Sequence, residues 1–260
     1  KSSTLESMEK IRQLANKGHS FVIDADIKNY FGSINHEKLL GVMERRISDR
    51  KMLKLIRKWL KAGIMEEGLI RPNLVGTPQG GVISPLLANI YLNELDKAWE
   101  SEHGTLGTLV RYCDDFVVLC RTRRALEESH RRIEGLLGNL MLELHPEKTK
   151  KVELDYAKEG FEFLGWHVRK IPSARFPGKR FLNRWPSPKS MKRLYGKIRQ
   201  VVHRGTSAKN ARDFAVKLNP VLMGWANYFR TGNSRRKFEQ ADKHLWTRIA
   251  LWENKRRRNT

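Results

Sequence analysis

The residues best suited to chemistry in this sequence are two adjacent acids, Asp114 and Asp115, and a third acid, Asp26, at the end of another apolar run. Leu109-Val110 precedes the acidic pair and the apolar run 116–119 follows it, a pattern that predicts a β-hairpin with carboxylates at its turn. Because carboxylates are costly to bury without a partner, this arrangement favours a cation at the turn. The alternative is an Asx-type turn that only joins two strands.

A second acidic strand is predicted at 20–27, where apolar and acidic residues alternate and Asp26 falls at the strand end, within reach of Asp114. Three carboxylates from two strands match a two-metal site, in which the ions are roughly 3.5–4 Å apart. Hard oxygen ligands suit Mg²⁺ rather than zinc. One ion would activate an attacking hydroxyl and the other would neutralise a leaving pyrophosphate. Asp24, on the same face as Asp26, is expected to be a solvated or salt-bridged acid.

The surrounding pattern must position these strands. Clusters of glycine and proline predict loops at 63–83 and 172–188. Ser84-Pro85 predicts a helix start, with serine as the N-cap and proline at the first helical position. Periodicity predicts helices at 4–17, from near 36, at 49–62, from 84, and at 123–141, 189–203, 207–230 and 234–256, and strands at 20–27, 107–120 as a hairpin, 151–155 and 161–169. This order predicts an α+β domain followed by an all-helical region.

Composition indicates the kind of partner. The chain has 260 residues with 51 Lys and Arg against 28 Asp and Glu, a formal net charge of +23. Such an excess favours a polyanion and steeply salt-dependent binding, the alternative being a merely soluble basic surface. No apolar run approaches the roughly 20 residues of a membrane span. The two cysteines, Cys113 and Cys120, form no metal-binding pair and predict a reduced, cytoplasmic protein.

Five ordered stretches carry a resemblance to a known family, and a sixth extends it. The chain resembles the group II intron-encoded reverse transcriptase/maturase family over nearly its whole length. The stretches are Asp24-Ala-Asp-Ile-Lys-Asn-Tyr-Phe-Gly-Ser-Ile-Asn-His36, Gly76-Thr-Pro-Gln-Gly-Gly-Val-Ile-Ser-Pro85, Tyr112-Cys-Asp-Asp115, Leu142-Glu-Leu-His-Pro-Glu-Lys-Thr149, Phe161-Glu-Phe-Leu-Gly-Trp166 and Leu218-Asn-Pro-Val-Leu-Met-Gly-Trp-Ala-Asn-Tyr-Phe-Arg230.

The resemblance implies a fold and an activity. It implies a reverse-transcriptase palm at 1–171 with an antiparallel sheet and packed helices, a linker at 172–188, and an all-helical thumb or maturase domain at 189–260. The implied activity is RNA-directed DNA polymerisation, in which a primer 3′-hydroxyl attacks the α-phosphate of a dNTP with the help of two Mg²⁺. The implied partners are template or intron RNA, a DNA primer or target, and dNTPs. The implied metal ligands are Asp26, Asp114, Asp115 and the backbone carbonyl of Ile27.

The resemblance also implies substrate-binding residues. Phe31 would lie under the sugar of the incoming nucleotide and exclude a 2′-hydroxyl, while Gln79, in a loop whose glycines allow close approach, would lie near that nucleotide. Lys148 would stabilise the triphosphate or protonate the leaving pyrophosphate. The alternatives are a core aromatic, a plain loop and a surface lysine. Gly32 departs from the family, where an acid is common. The segment 163–166 resembles a primer-grip hairpin, although its aromatics could equally be core.

The C-terminal region pairs aromatic residues with bases. Arginine faces on its helices are expected to follow an RNA backbone, while an aromatic stripe is usually core. The predicted nucleic-acid-binding residues are Arg230, Arg235, Arg236, Lys255, Arg256, Arg257 and Arg258.

Two other functions were compared with polymerisation. The first is an RNA-binding maturase that stabilises folded intron RNA without chemistry of its own, although intact acids favour the enzyme. The second, a signalling nucleotide cyclase on a similar palm, does not explain the charge. Because the first acidic strand begins near residue 20, the fingers region of the family is expected to be largely missing from this chain. Weak unaided primer extension and no endonuclease activity are therefore expected.

Overall fold

The predicted acidic strand and the predicted acidic hairpin lie side by side in one antiparallel sheet. The structure is a computed structural model that describes residues 3–61, 64–66, 69–71, 76–77, 82–155, 159–203 and 211–258. The chain divides into two units, Lys1–Ala157 and Lys158–Thr260. The strands of the main sheet in the first unit are β1 (Phe21–Ala25), β4 (Gly107–Tyr112), β5 (Asp115–Cys120) and β6 (Lys150–Glu153), in the spatial order β4-β5-β1-β6.

The centre of this sheet is buried on both faces. The five successive residues Phe116–Cys120 are each 0% exposed. Because successive side chains of a strand point to opposite faces, both faces of β5 must be covered. Helix α1 (Thr4–Asn16) lies against β4 and β5, and helix α6 (Arg123–Asn139) lies against β1 and β5. The apolar run that predicted the hairpin is therefore the centre of the core.

The remaining helices of the first unit follow the predicted pattern, with local differences. They are α2 (Tyr30–Ser33), α3 (His36–Glu44), α4 (Arg50–Lys61), α5 (Ser84–Ala98) and a π-helical turn at Trp99–His103. The predicted serine N-cap of α5 is wrong by one residue, because Ile83 is the N-cap and makes no side-chain capping bond. No helix in the described ranges is long and apolar enough to cross a bilayer.

A short hairpin lies in a segment predicted to be loop. Strands β2 (Ile64–Glu66) and β3 (Leu69–Arg71) pair with Ile64 opposite Arg71. The loop prediction for 63–83 is wrong over these two strands. Each contains two adjacent apolar residues, and three residues are enough for a strand when a close antiparallel partner is available.

The second unit contains a sheet as well as helices. Its strands β7 (Gly160–Phe163), β8 (Trp166–Pro172) and β9 (Arg180–Pro186) pair antiparallel in that order, and its helices are α7 (Pro188–Val201), α8 (Ala211–Phe229) and α9 (Arg235–Arg258). The prediction of a loop over 172–188 is therefore wrong at β9. Pro172 and Pro186 end β8 and β9, and strand ends tolerate a residue without an N–H group. The strand predicted at 161–169 is two strands, because the chain turns at Leu164 and Gly165, which both have positive φ.

Gly76 lies at a close contact between two backbone segments, 76–77 and 31–34. The Gly76 N–H donates to the Ile34 carbonyl at 2.8 Å, and the Thr77 N–H donates to the Phe31 carbonyl at 2.7 Å. Gly76 has φ +91°, and a Cβ atom there would lie 2.7 Å from the Cα of Gly32. Only glycine combines this left-handed backbone with so close an approach of two main chains.

Gly76→Ala should therefore lower the free energy of unfolding by at least about 2 kcal/mol, from left-handed strain and from the clash with the backbone of Gly32. Urea denaturation measures the change. The matched control is Gly41→Ala within α3, where a Cβ meets nothing within 4 Å. That control should be neutral or stabilise by up to about 1 kcal/mol. Equal stability of the two variants would contradict the tight docking of Gly76.

Candidate active site

The register of the sheet brings the three predicted acids to one end of it. Ala25 is paired with Phe116, so Asp26, the next residue, lies in register with Asp115. Tyr112 is paired with Asp115, which leaves Cys113 and Asp114 as the two-residue turn of the hairpin. Sequence analysis predicted this hairpin, and the strand pairing confirms it. The end of β1 and the β4–β5 turn, which are far apart in sequence, thus present carboxylates at the same end of the sheet.

The segment 144–149 supports Asp26 from the other side. The His145 N–H donates to the Asp26 carbonyl at 2.7 Å, and the Asp26 N–H donates to the Thr149 hydroxyl at 3.4 Å. Lys148 Nζ lies 3.6 Å from Asp26 Oδ2, with both side chains largely open to solvent. Lys148, predicted as a triphosphate-binding residue, is therefore placed beside a predicted metal ligand.

The three carboxylates are ligands of the kind that a hard divalent cation prefers. Asp26 is partly exposed, Asp114 is half-buried and Asp115 is exposed. Carboxylate oxygens are therefore accessible to a cation from solvent at this end of the sheet. Within the described part of the chain, no three Asp, Glu, His or Cys side chains are gathered closely enough to hold an ion. Ile27 is 5% exposed and forms an antiparallel bridge with Leu144. Its carbonyl as a ligand stays a prediction.

A residue that sequence analysis missed fixes the hairpin turn. The side chain of Arg111 is only 10% exposed. Its guanidinium forms a two-pronged pair with Asp96, with Nε 2.8 Å from Oδ1. The same guanidinium donates through Nη1 to the Asn89 side-chain oxygen at 3.1 Å and to the Cys113 carbonyl at 2.7 Å. Arg111 thereby ties the turn that contains Asp114 to helix α5.

The sequence contained a signal for this contact. Asn89 and Asp96 are seven residues apart, which places them on one face of a helix after two turns. Arg111 is a base in an otherwise apolar strand, two residues before Cys113. Cys113 itself has φ +57°, a left-handed conformation that is uncommon in residues other than glycine.

Electrostatics around the turn keep two of its neighbours protonated. Burial raises the pKa of the Tyr30 hydroxyl far above its usual range, and Asp114 raises it further while Arg111 lowers it. The Tyr30 hydroxyl donates to the Ala88 carbonyl of α5. Burial alone lowers the pKa of Arg111, but the hydrogen bond with Asp96 and the attraction to the charge of Asp96 together more than offset this, so that pKa is raised. Tyr30 is therefore a structural donor rather than an acid or base.

The other predicted substrate-binding residues fall in different surroundings. Phe31 is half-buried against the core, with its ring centroid 5.4 Å from that of Tyr30. This position is compatible both with a nucleotide contact and with a core role. Gln79 lies outside the described residues.

The predicted nucleic-acid-binding residues of the second unit lie on α9, except Arg230, which directly follows the end of α8. Arg230, Arg235, Arg236 and Lys255 are exposed, and Arg235 pairs with Glu239 at 3.1 Å. The side chains of 256–258 are outside the described part. Of the nearby aromatics, Trp252 packs edge-on against Phe214, with a centroid distance of 4.8 Å. The prediction that an aromatic stripe is core thus holds at Trp252, while Trp246 is 71% exposed.

Comparison with known proteins identifies the class to which this fold and this arrangement of acids belong. The model of the family described as reverse transcriptase (RNA-dependent DNA polymerase) matches residues 1–168. A second model, described as the group II intron, maturase-specific domain, matches residues 191–260. The chain belongs to the reverse transcriptase family and continues into a group II intron maturase-specific domain.

Individual relatives agree with this assignment. Protein YkfC of Escherichia coli K12 is 35% identical over 177 residues, which cover 56% of this chain and 46% of that protein. The group II intron-encoded protein LtrA of Lactococcus lactis subsp. cremoris is 50% identical over 80 residues, which cover 31% of this chain and 13% of that protein. The matched part of this chain spans less than half the length of either relative.

Solved structures support the fold. The telomerase of Candida albicans, solved with a fragment of telomeric RNA, superposes with a TM-score of 0.54 at 15% identity, over 93% of this chain and 44% of that one. The apo telomerase of Candida tropicalis gives a TM-score of 0.52 at 14% identity, over 98% of this chain and 51% of that one. At these identities the likeness shows the fold alone.

Arg111→Ala should lower the free energy of unfolding by about 2–3 kcal/mol, because it leaves Asp96 and the Cys113 carbonyl without their partner. Asp96→Asn should cost less. The double variant should show coupling of at least about 1 kcal/mol, since the two side chains form one network. Urea denaturation of all four proteins gives the coupling energy.

The matched control is the pair formed by Arg12 and Glu9 on α1, which has the same two-pronged hydrogen bonds but is exposed at 44% and 38%. Its cycle should give less than about 0.5 kcal/mol. Similar coupling in the two cycles would mean that the Arg111 pair is only a surface interaction.

Proposed function

We propose that this chain contains the polymerase centre of a group II intron-encoded reverse transcriptase and extends a primer with dNTPs on an RNA template. The observation that supports this proposal is the strand register, in which Ala25, next to Asp26, is paired with Phe116, next to Asp115, and Tyr112 is paired with Asp115 on either side of the turn with Asp114. Membership of the reverse transcriptase family supports it independently. On this proposal, the first unit corresponds to the palm, and the second contains the thumb and maturase helices.

In this proposal, Asp26, Asp114 and Asp115 hold two Mg²⁺, with the carbonyl of Ile27 completing the ligand set. When bound, the ions supply an activated primer hydroxyl and charge neutralisation at the pyrophosphate. Arg111 holds the turn so that Asp114 stays beside the end of β1. Lys148 reaches the triphosphate from its place 3.6 Å from Asp26, where a mobile cation can assist the leaving group.

The nucleotide contacts follow from the docking of two chain segments. The backbone carbonyl of Phe31 accepts a hydrogen bond from the N–H of Thr77, and Gln79 follows Thr77 by two residues in the sequence. On this proposal, the ring of Phe31 meets the sugar of the dNTP and Gln79 contacts its base side. A ring in that place would exclude a 2′-hydroxyl by size.

A maturase role is the second candidate function. The match of residues 191–260 to the group II intron maturase-specific domain favours it, as does the net charge of +23. Intron RNA would follow the exposed bases Arg230, Arg235, Arg236 and Lys255, together with Arg256, Arg257 and Arg258 that follow in the sequence. Both functions use RNA, so a residue that affects chemistry but not RNA binding separates them.

Asp114→Asn and Asp26→Asn should each lower dNTP incorporation by at least about 1,000-fold, because each removes a charged ligand at the reacting phosphate. RNA affinity should change less than twofold, because these acids do not contact the RNA backbone. Primer extension on an RNA template measures the first effect. Filter binding measures the second.

Asp24→Asn, two residues away on the same strand, is the matched control and should keep the wild-type rate. Full-rate extension by Asp114→Asn or Asp26→Asn would contradict the proposal that these residues bind the metal ions. Loss of RNA affinity in parallel with activity would instead favour the maturase role for these residues.

Phe31→Val should raise rNTP incorporation relative to dNTP by roughly tenfold or more, within the 10–200-fold range that one group in a pocket provides. Competition between rATP and dATP in single-nucleotide extension gives the ratio. Tyr30→Phe is the control, since it removes only the hydrogen bond to Ala88 and should leave the ratio unchanged. An unaltered ratio in Phe31→Val would show that Phe31 is simply a core residue.

A further inference from the structure

Helix α4 has a charge distribution that the polymerase centre does not explain. Six of its 12 residues are bases and none is acidic, namely Arg50, Lys51, Lys54, Arg57, Lys58 and Lys61. Among the described residues, one of these six bases forms an ion pair: Arg57, whose guanidinium lies 3.2 Å from the carboxylate of Glu37. Such a density of cations without counterions raises the free energy of the helix unless an anion is bound.

The bases of α4 line a groove beside α3. Ile56 and Leu60 are 5% and 2% exposed and anchor the helix to the core, so the opposite side of the helix faces solvent. The groove is formed by Leu53 and Glu44 together with five of the bases, Arg50, Lys54, Arg57, Lys58 and Lys61. At a rise of 1.5 Å per residue, the Cα atoms of Lys54, Lys58 and Lys61 span about 10 Å along the helix axis.

We propose that this groove between α3 and α4 binds the phosphate backbone of RNA, as a second RNA contact in addition to the predicted one on the last helices. The inference rests on the proposed function in that RNA is the expected polyanion. Lysines act as point charges on phosphates and need no fixed geometry. Binding at this groove should therefore be independent of sequence and steeply dependent on salt.

A protein partner fits this groove less well than RNA does. Lysine is depleted in protein interfaces, and the desolvated centre of such an interface contains few charges. The groove has one apolar residue, Leu53, and one acid, Glu44, beside five bases, so its net charge is strongly positive. A separate stripe on the neighbouring side of α4, formed by Met52, Leu55 and Trp59, is 45–50% exposed. Since that apolar stripe is where a protein would dock, it can be varied separately from the groove.

The test uses the whole 260-residue chain and a 30-nucleotide poly-U RNA in a salt titration without dNTP or Mg²⁺. The triple variant Lys54→Gln, Lys58→Gln, Lys61→Gln should reduce the slope of log affinity against log salt by about 2, at about 0.7 for each lost contact with single-stranded RNA. With a slope change of 2, the ratio of the variant's affinity to the wild-type affinity is about 100-fold lower at 0.1 M salt than at 1 M salt.

The matched control removes three lysines elsewhere in the same unit, Lys10→Gln, Lys17→Gln and Lys150→Gln, and should change the slope by less than 0.5, below the roughly 0.7 of one contact. Leu55→Ser with Trp59→Ser should also leave the slope unchanged. Circular dichroism checks that each variant is folded. An equal slope change in both lysine triples would overturn the proposal, since total charge alone would explain it.

An unchanged slope in the groove triple would also overturn it. Weaker binding in the Leu55 and Trp59 variant alone would overturn it too, because the RNA would then be bound at the apolar stripe by base stacking and not in the groove. The result is distinguishable from failure of the proposed function. Binding in this titration involves no nucleotide transfer, and Asp114→Asn should bind poly-U like wild type whether or not the chain polymerises DNA.

Discussion

The partly buried contact between Arg111 and Asp96 is the interaction on which the geometry of the hairpin turn depends. A hairpin turn is ordinarily held only by its two strands, and this turn contains a left-handed residue, Cys113, whose conformation is unfavourable by itself. Arg111 compensates by binding the carbonyl of that residue and helix α5 at once. Because an unpaired guanidinium or carboxylate is destabilising where it is shielded from water, Arg111 and Asp96 stay paired. The hydrogen bond from Arg111 to the Cys113 carbonyl then fixes the turn. Asp114 is thereby placed by a charge network rather than by its own contacts.

The apolar core sets the second constraint, because it fixes the register. Five successive residues of β5 have no exposure, and a shift of one residue would exchange the two faces of the strand and expose one set of side chains. The pairing of Ala25 with Phe116 is therefore strongly specified. Asp26 and Asp115 are the next residues beyond that pair, so buried apolar residues decide where these two acids lie. The docking of Gly76 on α2 extends the same ordering to the chain that leads toward Gln79.

Much of this arrangement could be predicted because strong local patterns encode it. The hairpin around Asp114, the strand before Asp26 and the long helices all have clear periodicity, and the structure has them within a few residues. Strand β9 was missed because prolines surround it, although they occupy strand ends where they do no harm. Arg111 was missed for a different reason: the seven-residue spacing of its partners Asn89 and Asp96 puts them on one face of α5, but that spacing does not say which other element the face meets. The surroundings of Lys148 likewise depend on a long-range bridge, between Ile27 and Leu144.

The left-handed backbone at Cys113 also restricts how this position can vary during evolution. Valine, isoleucine and threonine are strongly disfavoured there, because branching at Cβ collides with the main chain at positive φ. Glycine and asparagine adopt that conformation readily, and small unbranched residues do so at modest cost. The side chain is exposed, so neither size nor polarity limits it from outside. Evolutionary variation at position 113 should therefore be limited to residues that readily adopt a left-handed backbone.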